Sequence, residues 1–174
     1  MLEAPTLLIH PWQPDNSGPH AWTRRITDGS ASVGLGRVHW LGPGARSWFA
    51  WLRGQRMEVL ETDDAALLMT LVRPWGLSRL WDVYDAEERR VGAIAAPVLL
   101  DSEGGRRGYL DRPERDCGRI LDPTSQLLAE YAARPDQVVQ LRFAARDMNP
   151  FLRMLLLGCV LVQQASPALA SASR

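Results

Sequence analysis

The sequence predicts a mainly β domain in which a shell of antiparallel hairpins surrounds one apolar C-terminal helix. Three observations carry this. Between residues 56 and 144, short apolar-rich runs alternate with polar turns at the spacing of successive hairpins. Within that stretch, Tyr84–Ile94 superposes on Leu110–Ile120 at an offset of 26 residues, with Asp, Glu, Arg, Gly and Ile coinciding. Beyond it, Phe151–Val162 shows neither alternation nor a polar stripe, so a helix there has to be covered on every side.

Taken in order, residues 1–55 are rich in Pro, Gly and Trp, with turn signals at Pro14-Asp15-Asn16, Asp28-Gly29 and Gly42-Pro43-Gly44. Val33–Trp40 reads as a short strand between turns, and Ser47–Leu52 as either a strand or one helical turn. A regular pattern follows. Met57–Glu61 and Ala66–Val72 flank a turn at Asp63-Asp64. Leu80–Asp85 and Arg90–Ala95 flank Glu87–Arg89. Gly108–Asp111 and Asp116–Leu121 make a third hairpin, and Gln126–Ala132 and Gln137–Ala144 a fourth about Arg134-Pro135-Asp136. Strands of this length and spacing indicate a sandwich or a barrel. In the echo, Gly92 and Gly118 occupy the same position of the second strand, where glycine points to a bulge or a close backbone approach. The two copies suit consecutive hairpins of one barrel.

The helix is expected over Asn149–Gln164. Asn149 is a good N-cap and Pro150 suits the first helical position. Phe151, Leu155, Leu157, Gly158 and Leu161 are its expected core residues. Arg153 and Gln164 fall on nearly one azimuth near opposite ends, so each should emerge at a mouth of the shell, the arginine with its stem packed and its head solvated. The chain thus reads as a single domain over 1–166, with 1–55 its less regular part and 167–174 a flexible tail.

Composition excludes several classes. All twenty basic residues are arginine and they balance twenty acidic ones, so no basic tract marks a nucleic-acid binder. Cys117 and Cys159 have no metal or disulfide spacing. The start, Met1-Leu2-Glu3-Ala4-Pro5, is unlike a secretory signal. Pro150–Val162, interrupted by Arg153, falls short of the roughly 20 apolar residues of a transmembrane span. A cytoplasmic location, or a peripheral one on the inner face of the membrane, is the expectation.

Hairpins such as Trp81-Asp82-Val83-Tyr84-Asp85-Ala86 with Val91-Gly92-Ala93-Ile94, followed by Met154–Val162, resemble the phospholipid scramblase-like and LURP-one-related proteins of the tubby-like superfamily. The resemblance spans roughly residues 56–164. It implies a closed antiparallel β-barrel of about 12 strands enclosing a C-terminal hydrophobic helix, and an association with phospholipids. The sequence departs from the family in three respects, one being that the family's proline-rich tail and cysteine cluster for lipid attachment are absent. Where scramblases carry an acidic calcium segment, Ala145–Asn149 offers one carboxylate, too few for six to eight oxygen ligands. Tubby proteins bind lipid through lysine, which this chain lacks.

No nucleophile–base pair, P-loop, Gly-x-Ser-x-Gly elbow or HExxH sequence appears, so no catalytic residue, metal or cofactor is expected. His10, His20 and His39 have no ligand spacing, and Asp63-Asp64 and Glu87-Glu88 sit in polar turns. Arg89, Arg90, Arg106, Arg107 and Arg115, with Arg112 and Arg119, gather near the turns of the echoing hairpins. If those turns share one end, the guanidiniums form a phosphate-binding rim. The interleaved Glu87, Glu88, Asp111, Glu114 and Asp116 admit the alternative of a solvated face of mixed sign. The tryptophans, concentrated in the first third, read as core filling or as an interfacial belt. The expected function is a non-enzymatic, membrane-peripheral module that meets anionic phospholipid head groups. The alternative is a protein-interaction or regulatory scaffold with the same fold, whose partner is another protein.

Overall fold

Alternating side chains along a strand face opposite sides of a sheet, and the burial along several of the strands follows that period. Trp81, Val83 and Asp85 are buried while Asp82 and Tyr84 between them are half-exposed, and Val139, Leu141 and Phe143 are buried while Gln140 and Arg142 are not. The computed structural model describes residues 2–14, 22–28, 32–41, 54–61, 66–74, 79–111 and 116–171. Its elements are β1 (Thr6–Ile9), β2 (Gln13–Pro14), β3 (Trp22–Thr27), β4 (Ser32–Leu41), β5 (Gly54–Leu60), β6 (Leu67–Arg73), β7 (Trp81–Asp85), β8 (Arg90–Ala95), β9 (Val98–Asp101), β10 (Arg106–Asp111), β11 (Cys117–Leu121), β12 (Leu127–Ala133), β13 (Val139–Phe143) and α1 (Pro150–Ser171).

These strands form one antiparallel sheet with α1 packed on it, chiefly against β8 and also against β7 and β13. From β2 to β13 each strand pairs with the next. β1 pairs with β13 from Thr6↔Arg142 to Ile9↔Val139, and on its other edge with β3 at Leu8↔Thr27 and Ile9↔Ile26. Because β2 has only two residues, twelve strands of four or more residues are present among the described residues. The four expected hairpins are β5–β6, β7–β8, β10–β11 and β12–β13, and Val33–Trp40 falls within β4. Ser47–Leu52, Gly42-Pro43-Gly44 and Asp63-Asp64 lie outside the described residues.

The core is the interface between sheet and helix. From Arg153 through Leu161 every residue of α1 is buried, about two and a half turns and so all azimuths. Leu155, Leu157 and Leu161 meet a lining that includes Met57, Met69, Leu71, Val83, Ile94, Leu99, Ile120 and Leu141. Each such side chain contributes on the order of 1.5–3 kcal/mol when withdrawn from water. Gly158 lets α1 approach closely, since a Cβ there would stand 3.0 Å from Leu71 Cδ2 and 3.1 Å from Ile94 Cδ1. Trp81 is buried in this core, and Trp12 is partly buried against it with the Arg24 guanidinium 4.9 Å from its ring. Trp48 and Trp51 lie outside the described residues.

The glycines of the echoing hairpins have a steric cause. A Cβ on Gly92 would collide with the Leu100 carbonyl oxygen and come within 3.0 Å of Leu155 Cδ2. One on Gly118 would stand 2.7 Å from the ring of Tyr131, its partner across the ladder. The echoing hairpins are nevertheless not consecutive. The four-residue β9 stands between β8 and β10, too short to stand out from its turns. With one extra strand between them, the β7–β8 and β10–β11 connections join opposite ends of the antiparallel sheet.

Two further expectations are corrected at the helix. It does not end before Pro167 but runs to Ser171. Proline forgoes one backbone bond, yet the flanking Ala165, Ala168, Leu169 and Ala170 are strong helix formers. The Arg153 head is also not solvated. The residue is only 2% exposed, and its guanidinium donates to the carbonyls of Leu2, Ala4, Ala145 (3.0 Å) and Arg146 while lying 4.9 Å from the Phe143 ring.

Replacing Arg153 with Met should therefore cost about 3 kcal/mol or more, because buried carbonyls lose charged donors. Arg153→Lys should recover little of it, as a compact ammonium cannot span four acceptors. Urea denaturation measures both. Gly92→Ala should cost about 1–3 kcal/mol by the same assay, the range of an overpacked core.

Candidate functional site

Successive hairpins place the β7–β8, β9–β10 and β11–β12 turns at the end of the sheet where α1 begins. All three are built alike. Asp85, Asp101 and Asp122 each open a turn, and each Oδ1 accepts the amides two and four residues on, at 2.7–3.0 Å. In each turn the fourth residue has positive φ: Glu88 at 60°, Gly104 at 87° and Ser125 at 67°. Aspartate suits the opening position because its short carboxylate reaches its own backbone two residues ahead. The carboxyls are held below the usual range for different leading reasons. For Asp85, burial pushes upward, but the Arg89 amide and guanidinium and the Glu87 amide outweigh it. For Asp101 the Gly105 amide is the main cause, and for Asp122 the Thr124 hydroxyl.

Between the first two turns and the start of α1 lies a cleft of about 470 Å³. The turn side carries Asp85, Arg89, Arg90, Asp101, Ser102 and Arg107, and the helix side Asn149, Phe151, Leu152 and Leu155, with Val91 beneath. The Arg89 guanidinium is 2.7 Å from Asp85 Oδ2 and also bonds Glu87. Arg90 is 3.0 Å from Asp82 Oδ1 and donates to the Ser102 carbonyl at 2.8 Å. Arg107 Nε is 3.0 Å from Asp101 Oδ2. These carboxylates aim the arginines without exhausting them, since a guanidinium has five donors. At the helix start, Asn149 Oδ1 accepts the Phe151 amide at 2.8 Å, the expected cap, and the first turn holds no acidic residue. Its dipole end is thus left positive.

The five arginines singled out from sequence divide. Arg89, Arg90 and Arg107 converge on the cleft. Arg106 does not line it, and its guanidinium lies 4.8 Å from the Tyr109 ring. Arg115 lies outside the described residues; β10 ends and β11 begins at the opposite end of the sheet from the cleft. Arg119 is engaged by Asp111 at 2.8 Å. Of the helix residues, Leu155, Leu157, Gly158 and Leu161 are buried as expected, whereas Phe151 is 45% exposed and faces the cleft instead of the core. Sequence reasoning missed Asp85 and Asp101 as the residues that position the arginines. The signal was available as a repeated aspartate opening each turn.

No protein-family model, curated protein or solved structure matches the chain. Among the described residues no group of three His, Cys, Asp or Glu is placed to hold a metal ion, and no helix is long and apolar enough to cross a membrane. Cys117 is exposed, while burial pushes the Cys159 thiol up to about 12, which leaves it a packing group. Leu127 and Phe151 are the large hydrophobics left exposed among the described residues, and both stand at the cleft end.

The Asp85 carboxyl has a clear pH signature. Its folded pKa is depressed, so its contribution is present above the unfolded value of about 3.9 and is lost as pH falls through the folded value. Asp85→Asn should lower the melting temperature at pH 7, with the gap to wild type closing on acidification below about pH 4. Thermal melts by circular dichroism across pH 2–7 measure this.

Proposed function

We propose that the protein is a non-enzymatic, membrane-peripheral module that binds anionic phospholipid head groups through the end of the sheet where α1 begins. The observation that carries the reading is the convergence of Arg89, Arg90 and Arg107 beside an acid-free helix start, with Phe151 and Leu127 exposed at the same end. Guanidinium binds phosphate bidentately, and exposed Phe and Leu side chains at the same end can enter the boundary between head groups and acyl chains. Within this reading the sheet is a closed barrel of the tubby-like, scramblase-like type around α1. Two features support closure: β1 pairs along both edges, and Arg153–Leu161 are buried on every azimuth.

Co-sedimentation with liposomes tests the proposal. Vesicles containing phosphatidylglycerol should bind the protein at low salt, and binding should weaken as salt rises. The double variant Arg90→Gln/Arg107→Gln should bind about tenfold more weakly or worse, at roughly 1 kcal/mol per cation near an anionic surface. Absence of binding at low salt would sink the proposal. A stoichiometric protein partner found alongside that absence would favour the scaffold function.

A further inference from the structure

The cleft is two-sided in a way that adsorption to head groups alone does not use. Its turn side presents three guanidiniums and the Ser102 hydroxyl beside the two carboxylates of Asp85 and Asp101, and its helix side presents Phe151, Leu152 and Leu155. Phe151 is exposed, Leu152 half-buried and Leu155 buried, and residues 151 and 155 are neighbours one turn apart on the helix, so the helix side of the cleft is apolar from its open to its buried part. An inorganic phosphate or a bare head group at Arg90 and Arg107 would leave that surface wet. The volume of about 470 Å³ falls within the range of roughly 300–1,000 Å³ usual for small-molecule sites.

From this two-sided lining we infer that the cleft takes up one anionic single-chain amphiphile, its head group on Arg90 and Arg107 and its chain along Phe151 and Leu152. The inference rests on the phospholipid reading of this end and names the species bound there. Asp101 holds Arg107 from the turn side and Asp82 holds Arg90, so both guanidiniums keep donors for a second anion. The first turn of α1 contributes no carboxylate to repel it. Each methylene covered along the helix adds to affinity, so a chain must strengthen binding well beyond its head group.

Titration of the full chain with three soluble probes tests this: dodecyl phosphate below its micellar concentration, glycerol phosphate as the head alone, and dodecyl maltoside as the tail alone. Dodecyl phosphate should bind at least about tenfold more tightly than either of the others. Phe151→Ser, an exposed position whose change leaves the core intact, should remove most of that advantage, and Arg107→Gln should weaken both phosphates. Leu152→Ser, checked for fold by circular dichroism, serves as the second chain-side variant. Equal affinity for dodecyl phosphate and glycerol phosphate, or an advantage that survives both serine variants, would overturn the inference. The liposome assay on the same samples separates the two claims. Vesicle binding without dodecyl phosphate binding defeats the cleft and leaves the surface reading standing. Dodecyl phosphate binding without vesicle binding supports the cleft and defeats the membrane reading.

Discussion

A guanidinium cannot be left bare among apolar side chains, and Arg153 sits at the head of the buried stretch of α1. Its two terminal nitrogens are met by main-chain carbonyls from two distant places, Leu2 and Ala4 near the start of the chain and Ala145 and Arg146 in the loop before the helix, while Nε has no partner among the described residues. Satisfying one side chain therefore pins the N-terminal segment across the helix start. From there β1 enters the sheet between β13 and β3, and the Phe143 amide donates to the Pro5 carbonyl at 3.0 Å. Contacts spanning 151 residues of sequence separation are organised by this one group. The apolar remainder of α1 then has a sheet to lie against.

The same economy of means builds the cleft. A turn that opens on aspartate and passes through a left-handed fourth residue fixes where the next strand begins. Repeated at Asp85 and Asp101, it brings Arg89 and Arg90 on one hairpin and Arg107 on the next to a common rim. The carboxylate that shapes each turn also holds an arginine, so local turn chemistry and the electrostatics of the site are one arrangement.

What the sequence disclosed follows from the range of the interactions concerned. The hairpins β5–β6, β7–β8, β10–β11 and β12–β13 were legible because strand period and turn residues are local signals, as was the Asn149–Pro150 helix start. β9 was not, since four residues between a proline and a turn show little alternation. Without it, the sequence left open whether the two echoing turns share one end, which the extra strand decides against. The destination of the Arg153 head was illegible for another reason. Its acceptors are main-chain carbonyls, which every residue carries and no sequence pattern marks. The expected helix end at Pro167 gave a single breaker more weight than the alanines around it.

Departures from local preference are informative where they coincide. An acidic residue in the first turn of α1 would stabilise the helix against its dipole by about 0.3–1 kcal/mol, yet the sequence has Pro150-Phe151-Leu152-Arg153 there. Phe151 withholds from the core a side chain that would bring on the order of 1.5–3 kcal/mol if buried. Arg89 and Arg107 project into solvent from turns that their aspartates would shape equally well with a smaller neighbour. The acid-free first turn and the open Phe151 each forgo some stability, and neither is required by the sheet. All of them face the same cleft, where a missing carboxylate, an open aromatic and partly used guanidiniums together fit an anion carrying an apolar tail. A sequence selected for stability alone has no reason to gather these departures in one place, and that coincidence is what the proposed binding of an anionic amphiphile accounts for.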